Sequence, residues 1–174
     1  PIAFIMKAVV AALKAFPRFN SSLSADGPEL VLKQYYHVGV AVDTPQGLVV
    51  PNIKSADKMS IRQISDEIAR LADLSKSRKI KLDDLKGSTF TISSLGSFGG
   101  KFFTPIINPP EVAILGISKS HDSVLLKDNK PITITNLPIS LSYDHRIING
   151  VQAVEFTSRF CEILSDINYF EESF

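Results

Sequence analysis

Apolar residues recur along this chain at two periods, and the switches between them mark out its elements. Ile2 to Ala15 is apolar nearly all round (Ile2, Phe4, Ile5, Val9, Val10, Leu13), the pattern of a buried helix. It must stop before Pro17, whose ring disfavours helical geometry in the residue ahead of it. Asn20 to Pro28 carries loop chemistry. Leu30 to Tyr36 and Val38 to Val42 read as strands, Pro45-Gln46-Gly47 as a turn, and Leu48 to Val50 as the strand beyond it. Ser60-Ile61-Arg62-Gln63 is a capping-box start. The helix behind it sets Ile61, Ile64, Ile68, Leu71 and Leu74 on one stripe and leaves Asp66, Glu67, Arg70 and Asp73 mainly outside.

Further on, Phe90 to Ser93 and Val112 to Ile117 predict strands around a glycine-rich loop. Ser123 to Leu126 and Ile132 to Thr135 predict a hairpin turning through Asp128-Asn129. Leu137, Ile139, Leu141 and Tyr143 alternate as a strand. Asn149 then caps a final amphipathic helix whose apolar residues include Val151, Val154, Phe160, Ile163, Leu164 and Ile167. There is no internal repeat and no low-complexity segment. Strands and helices mixed without strict alternation predict an α/β fold, a mixed sheet with covering helices.

Composition narrows the function. A chain of 174 residues fits one domain with a sizeable core. With 44% hydrophobic residues and 11 Phe, it also hints at subunit interfaces. The net charge of +1 comes from 19 basic and 18 acidic residues without blocks, so neither a nucleic-acid stripe nor a polybasic membrane anchor is expected. The apolar stretch from Pro1 to Phe16 is interrupted by Lys7 and Lys14 and is too short to span a membrane. The one cysteine, Cys161, forms no internal disulfide, which points to a reducing compartment; in a helical pattern it reads as a buried structural thiol. No metal is expected, since His37 and His121 lack partners at ligand spacing. Gly96-Ser97-Phe98-Gly99-Gly100-Lys101 lacks the phosphate-loop spacing and reads as a turn beside a substrate channel, with Lys101 solvated. There is no Gly-x-Ser-x-Gly elbow.

The chemistry concentrates in Asp144-His145-Arg146-Ile147-Ile148-Asn149-Gly150, at a strand terminus just before a helix. A histidine between two opposite charges there is a candidate for proton transfer. This run resembles the active-site motif of the dihydrolipoamide acyltransferases, core enzymes of 2-oxo acid dehydrogenase complexes. Their commonest form has Asp where this chain has Asn149, and some bacterial acetyltransferase members share the Asn. Two further stretches are similar to the family: Val38 to Pro51, and Phe90 to Gly96 followed by Thr104 to Gly116. Thr91-Ile92-Ser93-Ser94-Leu95-Gly96 resembles the pyruvate-type, acetyl-transferring members.

The resemblance implies a chloramphenicol-acetyltransferase-like two-layer sandwich. Residues 1–174 would be a catalytic domain lacking its N-terminal portion, with lipoyl and subunit-binding domains outside this span. The implied reaction moves an acetyl group between dihydrolipoyl-lysine and coenzyme A, both substrates, through a ternary complex. His145 would be general base and then general acid, Ser93 the hydroxyl at the developing oxyanion, and Asn149 a supporting residue. A thiol titrates near ~8.5 and an imidazole near ~6.5, so this proton transfer is uphill by roughly 2.7 kcal/mol, within reach of an ordinary enzymatic barrier. The implied assembly is a homotrimer within a larger core, with His145 and Ser93 contributed by neighbouring chains. Lipoyl domains and the pyruvate dehydrogenase and dihydrolipoamide dehydrogenase components would be partners, in a bacterial cytoplasm or else a mitochondrial matrix. The tail from Tyr169 to Phe174 is aromatic and acidic where the family's is small and apolar, which bears on higher-order assembly. The alternatives are a succinyl- or branched-chain acyltransferase and a non-catalytic core subunit.

Overall fold

In the computed structural model, residues 1–171 apart from Asp26, Pro28 and Ser97 are described, so the tail from Glu172 onward and Ser97 of the glycine-rich loop lie outside the described residues. The chain runs α1 (Ile2–Ala15), β1 (Ser21–Leu23), β2 (Leu30–Leu32), β3 (Val38–Val40), β4 (Val42–Thr44), β5 (Gly47–Val49), β6 (Asn52–Ile53), α2 (Ile61–Lys76), β7 (Phe90–Ser94), β8 (Ala113–Ile117), β9 (His121–Lys127), β10 (Lys130–Asn136), β11 (Ile139–Tyr143), α3 (Gly150–Ser165) and α4 (Asn168–Glu171). The central sheet has the order β11-β8-β7-β3-β6. β7 lies parallel to β8 and β3, while β11 and β6 run antiparallel at the edges. This is the mixed sheet that the sequence predicts.

Strand alternation gives the sheet two unlike faces. On one, Val38, Val40, Phe90, Ile92, Ala113, Leu115 and Ile117 join the core with α1 and α3. Phe156 of α3 stacks on Phe19 (4.2 Å between centroids, 17°) and lies 5.9 Å from Phe90. Fully burying each such ring stabilises the fold by about 1.5–3 kcal/mol, and a good aromatic pair adds about 0.5–1.5. On the other face, Gly39, Thr91, Ser93, Ile114 and Gly116 alternate with those core residues. The segment 103–110 crosses that face. A Cβ on Gly116 would meet the Phe103 ring at 2.8 Å and Pro105 at 3.2 Å, so only a glycine lets the segment lie this close.

Both long capped helices start as their sequences dictate. Ser60 accepts from the Gln63 amide at 3.2 Å while Gln63 Oε1 accepts from the Ser60 amide at 2.8 Å. In α2, Ile61, Ile64 and Leu71 are buried, and Glu67 and Arg70 pair outside. Asp128 and Asn129 both take positive φ, the type I′ geometry that closes the β9–β10 hairpin, here seven residues a strand.

Four expectations change. The stretch Asn20 to Pro28 contains β1, paired with β2 through Ser21↔Leu32 and Leu23↔Leu30. β2 stops at Leu32 because Asn20 Nδ2 takes the carbonyls of Lys33 and Tyr35, each at 3.0 Å, in place of a strand partner. The Val38 to Val42 run divides between β3 and β4: the Ala41 amide makes the last β3–β7 bond, to Ile92 O at 3.0 Å, and from Val42 the chain pairs with β5 instead. Cys161 is exposed: the buried stripe of α3 is Ala153, Phe156, Phe160 and Ile163, which leaves Cys161, Val151 and Val154 on the outer side. Among the described residues, no helix is long and apolar enough to cross a membrane.

Candidate active site

β11 delivers the histidine. Its last residue, Tyr143, pairs with Ala113, and the Asp144 amide extends the ladder by one bond to Val112 O at 2.8 Å. The Asp144 carbonyl then accepts from the amides of Ile147 and Ile148, both at 3.0 Å, folding a tight turn with His145 at its tip. Ile147 and Ile148 are buried in the core, and Arg18 Nη1 donates to Ile147 O at 3.1 Å. The turn is thus anchored from inside and from the Pro17–Phe19 turn that follows α1, and a rigid mount of this kind can hold a catalytic side chain.

The flanking charges pair with each other and not with the imidazole. Asp144 accepts from the Arg146 amide at 3.0 Å and from Arg146 Nε at 2.9 Å and Nη2 at 2.5 Å. These bonds hold its carboxyl below the usual carboxylate range. His145 is exposed, 5.7 Å from the Tyr143 ring, and makes no hydrogen bond among the described residues of this chain. Asn149 Oδ1 accepts from the Gln152 amide at 2.9 Å, and Gln152 Oε1 returns the bond to the Asn149 amide at 3.2 Å. That capping box accounts for Asn149 as the start of α3, and among the described residues its Nδ2 donates to nothing in this chain.

Ser93 stands elsewhere. It is half-buried on β7 opposite Gly116, in a cavity of about 340 Å³ lined also by Ala41, Leu48, Thr91, Ile114 and residues 105–109. Gly116 in turn pairs with Ser140, so Ser93 is level with the beginning of β11, and the histidine turn follows its end. Three residues separate Ser140 from Tyr143, about 10 Å at ~3.3 Å per residue, and His145 lies further along. One chain therefore brings His145 and Asn149 together but sets Ser93 at the other end of the sheet.

A second cavity, of about 310 Å³, lies beneath the histidine turn, lined by Asp144, Arg146, Leu23, Pro110, Glu111 and Val112. It shares Ile107 and Pro109 with the Ser93 cavity. Glu111 is a residue that sequence reasoning passes over. It is 6% exposed, and its Oε1 accepts from Ser88 at 2.5 Å, Thr91 at 2.9 Å and Asn108 at 3.3 Å. Burial pushes its carboxyl above the ordinary range, against the pull of those bonds. The available signal was a carboxylate opening the apolar run Val112 to Ile114.

The fold itself is shared with a solved structure of low sequence identity. Chloramphenicol acetyltransferase superposes with a TM-score of 0.61 at 15% identity, covering 94% of this chain and 77% of that one. The particular family follows from sequence. The model of the 2-oxoacid dehydrogenases acyltransferase (catalytic domain) family matches residues 1–170, and the chain belongs to that family. It is 51% identical over 165 residues to the dihydrolipoyllysine-residue acetyltransferase component of the pyruvate dehydrogenase complex of Cupriavidus necator, covering 95% of this chain and 30% of that protein. The chain thus spans less than a third of that relative's length. A structure of the Azotobacter vinelandii dihydrolipoamide acetyltransferase matches with a TM-score of 0.92 at 47% identity, covering 97% of this chain and 70% of that one. That work concerns the role of a serine, a histidine and an asparagine in the catalytic mechanism, the serine 52 positions before the histidine and the asparagine 4 after it. The cubic core of a pyruvate dehydrogenase multienzyme complex matches equally well, with a TM-score of 0.92 at 48% identity over the same shares.

Proposed function

We propose that this chain is most of the catalytic domain of a dihydrolipoyllysine-residue acetyltransferase, moving an acetyl group between dihydrolipoyl-lysine and coenzyme A in a pyruvate dehydrogenase complex. One observation carries the reading: Ser93, His145 and Asn149 stand at the same intervals, 52 and 4, as the serine, histidine and asparagine studied in the Azotobacter protein. The remainder of the catalytic domain and the lipoyl and subunit-binding domains fall outside residues 1–174.

The chemistry follows from the residue types. The imidazole of His145 takes the proton from the attacking thiol, and the thiolate adds to the thioester carbonyl carbon. Negative charge gathers on the carbonyl oxygen, to which the Ser93 hydroxyl donates. A donor so placed is worth about 3 kcal/mol, judging by the ~10²–10³ lost when one is removed. Collapse of the intermediate expels the second thiolate, which recovers the proton from the imidazolium. No covalent acyl-enzyme forms and no metal takes part. Asn149 starts α3 and fixes the far end of the histidine turn.

Because Ser93 and His145 lie at opposite sheet ends, a complete site joins two chains, with the histidine of one meeting the serine of the next. The assembly is a homotrimer that builds a larger core and works with lipoyl domains, pyruvate dehydrogenase and dihydrolipoamide dehydrogenase in a bacterial cytoplasm.

The test is complementation in the full-length protein. His145→Ala and Ser93→Ala are each expected to lose acetyl transfer, the histidine variant by ~10²–10⁴. Co-assembled, they should recover about a quarter of the sites, because random mixing places an intact histidine against an intact serine that often across a heterologous interface. Unchanged transfer in His145→Ala would overturn His145 as the base, a parent that assembles normally without any transfer would be a non-catalytic core subunit, and preference for a succinyl or isobutyryl donor would reassign the acyl group.

A further inference from the structure

The Glu111 carboxyl sits between the two cavities and has no part in the proton transfer just described. Its Oε1 gathers three donors from two segments that sequence keeps apart: Ser88 and Thr91 around the start of β7, and Asn108 from the segment crossing the sheet. The Glu111 amide also donates to Asn108 O at 3.0 Å, closing the end of that segment onto β8. Thr91 is on the same face of β7 as Ser93, one pleat away, and lines the same cavity. Glu111 itself lines the other cavity, with Asp144 and Arg146 of the histidine turn. Its Oε2 is buried and has no hydrogen-bond partner among the described residues.

We propose that Glu111 is a positioning residue for the acyl-transfer site: it ties Thr91 and Asn108 to one carboxyl oxygen and so sets both the lie of Ser93 and the wall that its cavity shares with the histidine turn. This rests on the catalytic reading above. Fixing such a wall matters because a displacement of about 1 Å in a reacting group costs up to ~10²-fold in rate. A side chain retained only for stability would sit better as an apolar residue, since a buried carboxyl with an unpartnered oxygen is costly. The carboxyl is neutral or ionised without loss of the clamp, because Oε1 accepts in either state. Glutamine keeps that acceptor, whereas alanine removes it.

Acetyl transfer from acetyl coenzyme A to dihydrolipoamide is to be measured on the full-length assembly, with kcat referred to particles of intact mass. Glu111→Ala should lower kcat about 10- to 100-fold, and Glu111→Gln should recover most of that loss. Thr91→Val, which removes one donor at nearly constant volume, should lower kcat several-fold. Thr91→Val combined with Glu111→Ala should lose no more than Glu111→Ala alone, since the threonine acts through the carboxyl. A merely structural role predicts lower thermal midpoints with unchanged kcat per intact particle, and that result overturns the proposal. If Glu111→Ala does not assemble, Glu111→Gln and Thr91→Val decide: a glutamine variant as impaired as a serine-less one, or a valine variant within twofold of the parent, also overturns it. His145→Ala runs alongside. Undiminished transfer there refutes the catalytic reading, while an inactive His145→Ala beside fully active Thr91→Val refutes only the role of Glu111.

Discussion

The two faces of the central sheet are built from the same five strands and behave as different materials. The helix-covered face is a continuous apolar layer, with Phe90, Ile92 and Leu115 against Phe19 and Phe156, all fully buried. The opposite face carries glycines, Thr91 and Ser93, crossed by one segment and flanked by two cavities. The difference teaches where each face keeps its free energy. Apolar area accumulates without direction, so the first face tolerates no void but needs no exact angle. The second depends on a few directed bonds, and losing one shifts geometry more than stability.

The comparison breaks most easily at Phe156, which meets Phe16, Phe19 and Phe90. Phe156→Ala should cost about 3–5 kcal/mol, read as a lower denaturant midpoint at unchanged slope, and it should inactivate only by unfolding. Ser93→Ala should do the reverse: a rate loss of ~10²–10³, about 2.7–4 kcal/mol at the transition state, with stability within about 0.5 kcal/mol of the parent. Equal damage to both quantities in either variant would erase the distinction between the faces.

Smaller effects sharpen it. Asn149→Ala should cost about 1 kcal/mol by removing the α3 cap, and Asn149→Asp should restore stability because a carboxylate caps equally well. Activity restored together with stability would mean that Asn149 acts only as a cap. The weakest signal is a pH slope. With its folded-state titration raised by burial, Glu111 binds its proton more tightly in the native chain than in the unfolded one. Its contribution is therefore fully present below the ordinary carboxylate range and is lost as pH rises through the raised value. The thermal midpoint of Glu111→Gln should lack that decline, and parallel curves for parent and variant would refute it.

Legibility in the sequence follows the same division. α1, both capped helices, the Asp128-Asn129 hairpin and the strand ahead of the histidine are stated by periodicity and capping, which are local. β1 was hidden because Ser21 and Ser22 carry no apolar alternation and owe their strand to pairing with β2. The early end of β2 depends on the Asn20 side chain reaching across to Lys33 and Tyr35, a contact that periodicity does not encode. Cys161 misled because a helical pattern with apolar residues on several sides leaves the buried stripe ambiguous until its neighbours are known. At the candidate site, His145, Ser93 and Asn149 are singled out through a family resemblance. Their separation within one chain needed strand register, and the Glu111 cluster needed side chains from positions 88, 91 and 108 brought together by folding.

The placement of Ser93 and His145 at opposite ends has an arithmetic consequence. Under the two-chain site proposed above, each chain contributes half a site at each end, so an open pair completes one site, while a closed ring completes as many as it has members. On that reading the rate per chain tracks association by mass action. Dilution far enough to open the rings should make activity fall faster than protein concentration, and reconcentration should bring it back.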